Sequence, residues 1–403
     1  MKNKLVITRR DDIVYYGYFK EGQAVELYCE RYDNPSLLGR IYVARVDKIA
    51  EGIQGAFLEL SKEQKGYYPL NSAAKPVKLS PGHEDRLYNG DLILVQVTKD
   101  AVKSKLPVVD SNVSLSGSYA VISLERRGIN ISRKIKDAGE RERLLTIARE
   151  AYDTYAREDY GLVIRTNAKG IAPERLTQEL QSLFQQADLI LQKARTAPAR
   201  SLIAGGDIPY YIKLAQELPQ AELDQILTDD PEIEGKLLGF YASDTYRSIA
   251  EKVKRYQDDY PLYLLYRFEH FYDMALSKTL PLKSGGSIVI EATEAMTVID
   301  VNSGAAIRNK KNAQNIYEAM NREAAVEIAA QLRLRNLSGI IIIDFINMKE
   351  EESRKRIFTF LKQECERDRI PVRVIDFTAL NLVEMTRNKT RKSLKEQWQE
   401  CKN

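Results

Sequence analysis

Apolar and polar residues alternate over the first third of the chain in the manner of short strands. KLVITRR, DIVYYGYFK and QAVELYCERY follow one another, separated by Asp-Asp, Glu-Gly and Asp-Asn-Pro turns. GRIYVARVDKIAEGIQGAFLELSKEQKGYYPL and, later, NGDLILVQVTKD continue the pattern with about four more strands, two of them carrying aromatics. SLSGSYAVISLERRGINISRKI is again strand-like. The period then changes to that of a helix in KDAGERERLLTIAREAYD, where Leu144, Leu145, Ala148 and Tyr152 share a face. DYGLVIRTNAKG predicts a strand running into a turn. A long amphipathic helix is expected over about 173–198, closed by Ala-Pro-Ala-Arg.

Residues 206–275 mix short strands and helices, punctuated by Pro209, Pro219, Pro231 and Pro261. From Leu280 the pattern becomes regular. GGSIVIEAT and EAMTVIDVNSG predict a hairpin, and NAQNIYEAMNREAAVEIAAQLRLRN a long helix. GIIIIDFINM is wholly apolar up to its aspartate, as in a strand buried on both faces. A helix over about 350–368 and the strand PVRVIDF complete a β-α-β-α-β series, so the last part of the chain is expected to be α/β with parallel strands.

A length of 403 residues allows roughly two to three domains. With 44% hydrophobic and 29% charged residues, the composition is that of an ordinary globular protein. No apolar run reaches the roughly 20 residues of a membrane span, and the charged N-terminus MKNKLVITRRDD lacks a secretory segment. A cytoplasmic location, away from membranes, is therefore expected. Cys29, Cys365 and Cys401 lie far apart and show no CxxC or Cys/His zinc spacing, so free thiols are expected. The two histidines, His83 and His270, suggest no triad, which leaves carboxylates and a metal to carry any chemistry. The net charge of +4 is mild, so nucleic-acid binding must rest on local features.

The local features are polar residues ending apolar strands. In TVIDVNSG, Asp300 and Asn302 point to one face of the strand while Ile299 and Val301 point to the other. The strand Ile340–Ile343 ends in Asp344 in the same fashion. A strand–helix–strand crossover makes the two strands parallel neighbours and brings both carboxylates to the C-terminal edge, where open α/β sheets place ligands. Two close carboxylates repel, and a divalent cation removes the conflict. Mg²⁺ suits such a pair, since it keeps waters and takes further ligands from phosphates. Asn302 cannot ionise and fits a hydrogen-bonding role. The alternative is that the two aspartates merely cap turns or helix N-termini.

LKSGGSIVIEATEAMTVIDVNSG, EAAVEIAAQLRLRNLSGIIIIDFINM and LVEMTR occur in this order, and together they resemble the catalytic region of the ribonuclease E/G family. The strand-rich N-terminal stretch resembles an S1 RNA-binding domain, a five-stranded oligonucleotide-binding barrel. The resemblance implies a multidomain chain of α+β and α/β character. An S1 (OB-fold) barrel over 38–113 and a 5′-sensor region over 114–205 would be inserted in an RNase H-like subdomain, 1–37 with 206–275. A DNase I-like α/β catalytic subdomain over 276–403 would follow.

By the same resemblance Asp300, Asn302 and Asp344 form the active site, with Asp300 and Asp344 holding Mg²⁺ (or Mn²⁺ in its place). The reaction implied is endonucleolytic hydrolysis of single-stranded RNA to 5′-phosphate and 3′-hydroxyl ends, in RNA processing and decay. Phe57, Tyr67 and Lys105 match the RNA-contacting residues of the S1 domain, although without the resemblance Phe57 and Tyr67 would read as barrel core. Gly117, Val121, Arg165 and Thr166 match a pocket that senses a 5′-monophosphate, a dianion that a guanidinium binds well. The family forms dimers, so a homodimer is expected. The competing reading is an RNA-binding or ribosome-associated module with little catalysis.

The chain departs from the family pattern in places. It lacks the CPxC-type segment that links subunits through zinc, so neither zinc nor a zinc-linked tetramer is expected, and Cys401 has no partner in sequence. Lys105 sits in KLPVV without the usual glycine. Ala305 stands where a basic residue is common, with Arg308, Lys310 and Lys311 close behind. Ala379, Leu380 and Asn381 replace a basic residue and Phe-Gly.

Overall fold

The computed structural model describes residues 2–402 apart from 34–35, 72–74, 81–85, 102–104, 125–126, 159, 206–207 and 305–312. The chain is of mixed α/β character and divides into two compact units. One comprises Met1–Asn34, Asp224–Pro231 and Lys254–Asn403, and the other Pro35–Leu223 and Glu232–Val253.

The first unit contains two sheets. In the N-terminal sheet the strands Lys4–Arg10, Ile13–Lys20 and Gln23–Arg31 form an antiparallel meander, extended by Gln225–Thr228, which runs parallel to the first. An aromatic cluster closes one face. The single Trp398, on the C-terminal helix Leu394–Lys402, stacks on Tyr272 at 5.0 Å, and Tyr15 meets Tyr263 edge-on at 5.1 Å. The three cysteines are free, as expected. The C-terminal helix packs on the third strand and places Cys401 in the same buried cluster as Cys29, both as free thiols. Linear spacing carried no trace of that proximity.

The other sheet of this unit has the strand order Thr279–Pro281, Ser287–Ala292, Met296–Asn302, Gly339–Asp344, Val383–Arg387, Val372–Phe377. The long helix Ala313–Leu334 and the helix Glu351–Cys365 pack on the same face. Ala324, Ala325, Ile328, Leu332, Ile357 and Leu361 share one core with Ile299, Val301, Ile341 and Ile343. Two expectations change accordingly. The IIII run is not buried on both faces: Ile341 and Ile343 are fully buried, but Ile340 on the opposite face is 49% exposed and its cross-strand neighbour Met296 37%. Hydrophobicity recorded the strand, but the packing of both helices on one side decided which face is covered. The sheet is also not purely parallel, because Val383–Arg387 inserts antiparallel between Gly339–Asp344 and Val372–Phe377.

Buried ion pairs fix this unit. Arg369 grips Glu26 through two nitrogens (2.8 and 2.9 Å), and Tyr28 donates its hydroxyl to the same carboxylate at 2.7 Å. Burial raises the Glu26 pKa, but the Arg369 charge and hydrogen bonds outweigh it and leave the carboxyl below its ordinary value.

The second unit carries a closed barrel of five strands. Ile41–Ala50 pairs with both Gly55–Glu59 and Leu92–Lys99, and Lys65–Pro69 and Val108–Asp110 complete the circuit. This closure matches an oligonucleotide-binding barrel. Beside the barrel in sequence, a four-stranded sheet orders Ser114–Ser116, Ala120–Ser123, Gly161–Ile164 and Gly128–Ile131. Helices Ala138–Tyr155 and Pro173–Thr196 supply its core through Leu144, Ala148, Leu176, Leu180 and Phe184. The N-terminal helix boundary is capped by Asp137, whose carboxylate accepts the Glu140 N–H.

Candidate active site

Strands Met296–Asn302 and Gly339–Asp344 are parallel and in register, and their pairing sets Asp300 directly beside Asp344. Adjacent residues in register point to the same face, so both carboxylates stand on the sheet face that the helices do not cover. Asp300 is half-buried, whereas Asp344 and Asn302 are exposed. Asn302 donates its side-chain N–H to Asp300 Oδ2 at 2.7 Å. The three residues chosen from sequence therefore meet at one sheet edge. Burial, and then the charge of Asp300, push the Asp344 carboxyl above its ordinary pKa. The Asp300 carboxylate receives the Asn302 side chain, and its strand continues beyond it to Asn302.

The end of the Asp300 strand is fixed by close backbone contact. Gly304 adopts φ +58°, and a Cβ there would lie 2.6 Å from the Gly285 carbonyl oxygen. At Gly286 a Cβ would lie 2.5 Å from the carbonyl oxygen of Asn302. Glycine is the residue both positions permit. The turn between Thr279–Pro281 and Ser287–Ala292, which carries Gly285 and Gly286, is held from the long helix, where Glu323 accepts the backbone N–H groups of Lys283 (2.6 Å) and Ser284 (3.2 Å).

Asp344 has a comparable support that the sequence reading missed. Asn321, fully buried in the long helix, donates to the Ile346 carbonyl (2.7 Å) and accepts the Ile346 N–H (3.0 Å). This reciprocal pair holds the backbone two residues beyond Asp344. An Asn among Ala, Met and Ile on the buried helix face was the available signal, since an amide there must be satisfied. Asn321→Ala leaves both backbone groups without their partner, at a cost of about 1–3 kcal/mol. Urea unfolding is expected to show that loss.

On the barrel, Phe57 and Tyr67 are cross-strand partners with ring centroids 6.3 Å apart. Both are half-exposed on the outer surface, while Ala56, Leu58 and Tyr68 fill the interior. They are not core, and Gly55 clears the space for the Tyr67 ring, which a Cβ would meet at 2.2 Å. Lys48, which the sequence reading did not single out, is the exposed neighbour of Phe57 on the adjoining strand. Lys105 is exposed two residues before Pro107, whose carbonyl accepts the Tyr67 N–H at 2.9 Å. The KLPVV segment is thus anchored to the aromatic strand without its usual glycine.

The four residues matched to the phosphate sensor also gather. Arg165 donates from Nη1 to the Gly117 carbonyl at 2.7 Å, and its backbone N–H to the Tyr119 carbonyl at 2.7 Å. Val121 pairs in register with Val163 on the strand that leads into Arg165. Thr166 is exposed, and its hydroxyl hydrogen-bonds that of Ser132 at 2.8 Å. Among the sequence departures, Ala379–Asn381 form the tight turn between two sheet strands, closed by Thr378 N–H to the Leu382 carbonyl at 2.8 Å. Ala305, Arg308, Lys310 and Lys311 lie outside the described residues. His270 lines a separate shallow cleft of about 390 Å³ with Tyr260, Tyr263 and Arg267, and none of the candidate site residues borders it.

The model of the ribonuclease E/G family matches residues 114–390, more than half of the chain. The chain belongs to this family. Family membership makes it an enzyme, an endoribonuclease, and its five-stranded barrel S1-like. It is 31% identical over 388 residues to ribonuclease G of Escherichia coli (strain K12), covering 94% of this chain and 78% of that protein. It is 30% identical to ribonuclease G of Haemophilus influenzae, over 93% of this chain and 77% of the relative. Ribonuclease E of Synechocystis sp. is 30% identical over 98% of this chain, which spans 58% of that longer protein. Among the described residues, no helix is long and apolar enough to cross a membrane.

Proposed function

We propose that the chain hydrolyses single-stranded RNA internally at Asp300, Asn302 and Asp344, with Mg²⁺, leaving 5′-phosphate and 3′-hydroxyl ends, and favours RNA bearing a 5′-monophosphate. The observation that carries this reading is the in-register placement of Asp300 beside Asp344, with the Asn302 amide on the Asp300 carboxylate. The pair stands on an exposed sheet surface, which admits a chain-like substrate more readily than a closed pocket would.

The residues fit a hard divalent cation. Two adjacent carboxylates, one with a raised pKa, form a centre of uncompensated negative charge. Among the described residues no third His, Cys, Asp or Glu completes a cage, so phosphate and water oxygens would fill the remaining positions, as Mg²⁺ favours. Asp300 and Asp344 would hold the ion, which supplies Lewis acidity toward the phosphodiester. Asn302 fixes the orientation of Asp300 and leaves its carbonyl oxygen and second N–H for substrate or solvent.

In the same reading, 1–37 with 206–275 form an RNase H-like scaffold, 38–113 the S1 module, 114–205 the sensor region and 276–403 the DNase I-like catalytic part. Phe57 and Tyr67 stack bases, with Lys48 and Lys105 near the backbone phosphates. Phe57→Ala and Tyr67→Ala are each expected to weaken RNA binding by about 1–3 kcal/mol, measured by fluorescence anisotropy in EDTA. Affinity unchanged in both variants would remove the platform from the account.

The deciding experiment uses an A/U-rich single-stranded RNA with a 5′-monophosphate or a 5′-hydroxyl, with and without Mg²⁺. Cleavage that requires Mg²⁺, is lost in Asp300→Asn and Asp344→Asn, and is faster on the monophosphate supports the proposal. Equal cutting by the variants would sink the site. Indifference to the 5′ end would remove the sensor and leave the nuclease.

A further inference from the structure

The helix Pro173–Thr196 buries an apolar face formed by Leu176, Leu180, Leu183 and Phe184, and one carboxylate intrudes on it. Glu179 is 1% exposed. Its Oε1 accepts the backbone N–H groups of Tyr119 (2.6 Å) and Ala120 (2.9 Å), and its Oε2 that of Ser118 (2.8 Å). Three successive amides converging on an anion form the kind of nest that phosphates commonly occupy. Here the protein fills the nest with its own carboxylate. The same contact explains Gly117: a Cβ there would lie 2.4 Å from Glu179 Oε1. This glycine is required by space beneath the turn, since the carboxylate occupies it.

The turn so fixed holds Arg165. Gly117 N–H closes the turn onto the Ala120 carbonyl at 2.8 Å, the Gly117 carbonyl receives the Arg165 guanidinium, and the Tyr119 carbonyl receives the Arg165 N–H. We infer that Glu179 is a positioning residue for 5′-end recognition, one that never touches the phosphate but sets the turn that aims the Arg165 guanidinium. The inference rests on the proposed sensing role of Arg165 and Thr166. It also restricts how that site works. The amides of 118–120 are already committed, so a bound phosphate draws its donors from side chains such as Arg165 and Thr166 rather than from this nest. Burial pushes the Glu179 carboxyl upward in pKa, against the three amides and the charge of Arg165. The contacts that oppose that push are the same ones that build the turn.

The test compares kcat/KM on 5′-monophosphorylated and 5′-hydroxyl RNA of one sequence, for wild type, Glu179→Gln, Glu179→Asp and Arg165→Ala. Glutamine presents an N–H where an acceptor is needed, so the preference for the monophosphate is expected to fall about tenfold. The loss should appear as a higher KM for that RNA, with Glu179→Asp intermediate. Circular dichroism establishes that each variant is folded, and if Glu179→Gln is not, Glu179→Asp decides by the same ratio. A folded variant that keeps the wild-type ratio while Arg165→Ala loses it would overturn the role of Glu179 alone. Equal loss on both RNAs would also overturn it, because that marks general loosening. If wild type and Arg165→Ala treat the two ends alike, the sensing site itself falls, and the positioning role with it.

Discussion

Replacing Asp344 with asparagine is expected to reduce RNA cleavage by about 10³-fold or more while the protein stays folded. The substitution keeps the shape of the side chain and removes the charge that, with Asp300, would make this strand edge a cation site. The companion Asp300→Asn should lose a comparable factor, and it also replaces the carboxylate that accepts the Asn302 N–H with a neutral amide oxygen. Residues that act as a unit are strongly non-additive, so the double variant should be little worse than either single one. Stability should move in the opposite direction. Without Mg²⁺ the two in-register carboxylates repel, and deleting one charge should stabilise the metal-free protein by up to about 1 kcal/mol at these solvent-facing positions. Added Mg²⁺ should raise the melting temperature of wild type and have less effect on either variant, since a ligand stabilises only the state that binds it. Cleavage rates and thermal melts with and without the ion measure both effects. Full activity in the asparagine variants, or identical Mg²⁺ shifts in all three proteins, would place the metal elsewhere.

Periodicity made the strands and the long helices legible, and the alternation in TVIDVNSG placed Asp300 and Asn302 on a common face before any fold was known. The crossover argument also brought Asp344 beside Asp300, because a parallel neighbour in register is a local consequence of strand–helix–strand connectivity. What sequence could not supply depended on contacts between residues distant along the chain. Ile340 reads as core by composition, and its exposure follows only from both helices choosing the other face of the sheet. Phe57 and Tyr67 read as core for the same reason, yet their alternation with Ala56, Leu58 and Tyr68 sends them outward. Cys29 and Cys401 stand at opposite ends of the chain and meet through the docking of the final helix. The supporting residues Asn321 and Glu179 left a faint mark, as polar residues on buried helix faces. Their partners are backbone amides and carbonyls, which carry no signature in sequence.

The LVEMTR segment bears a further large effect through its last residue. Arg387 ends the strand Val383–Arg387 and points under the sheet, where it and Asp368 are each only 2% exposed. Its guanidinium bonds Asp368 Oδ2 at 2.8 Å, Asn336 Oδ1 at 2.8 Å and the Leu337 carbonyl at 2.9 Å. Asn336 is itself in the left-handed region (φ +48°), at the turn between the long helix and the strand that carries Asp344. One arginine therefore joins that turn to the segment Asp368–Ile370, where Asp368 also accepts the Ile370 N–H at 2.9 Å. Arg387→Met preserves much of the volume and takes the guanidinium from the buried Asp368 carboxylate, which costs about 3–5 kcal/mol. Urea unfolding should register that loss, and the melting temperature should drop by roughly 10 °C. Combining it with Asp368→Leu removes both charges, and most of the stability should return, because a buried pair contributes little net energy over apolar packing of similar shape. A double variant as unstable as Arg387→Met alone would mean that the bonds to Asn336 and Leu337, not the pairing with Asp368, are what the arginine supplies.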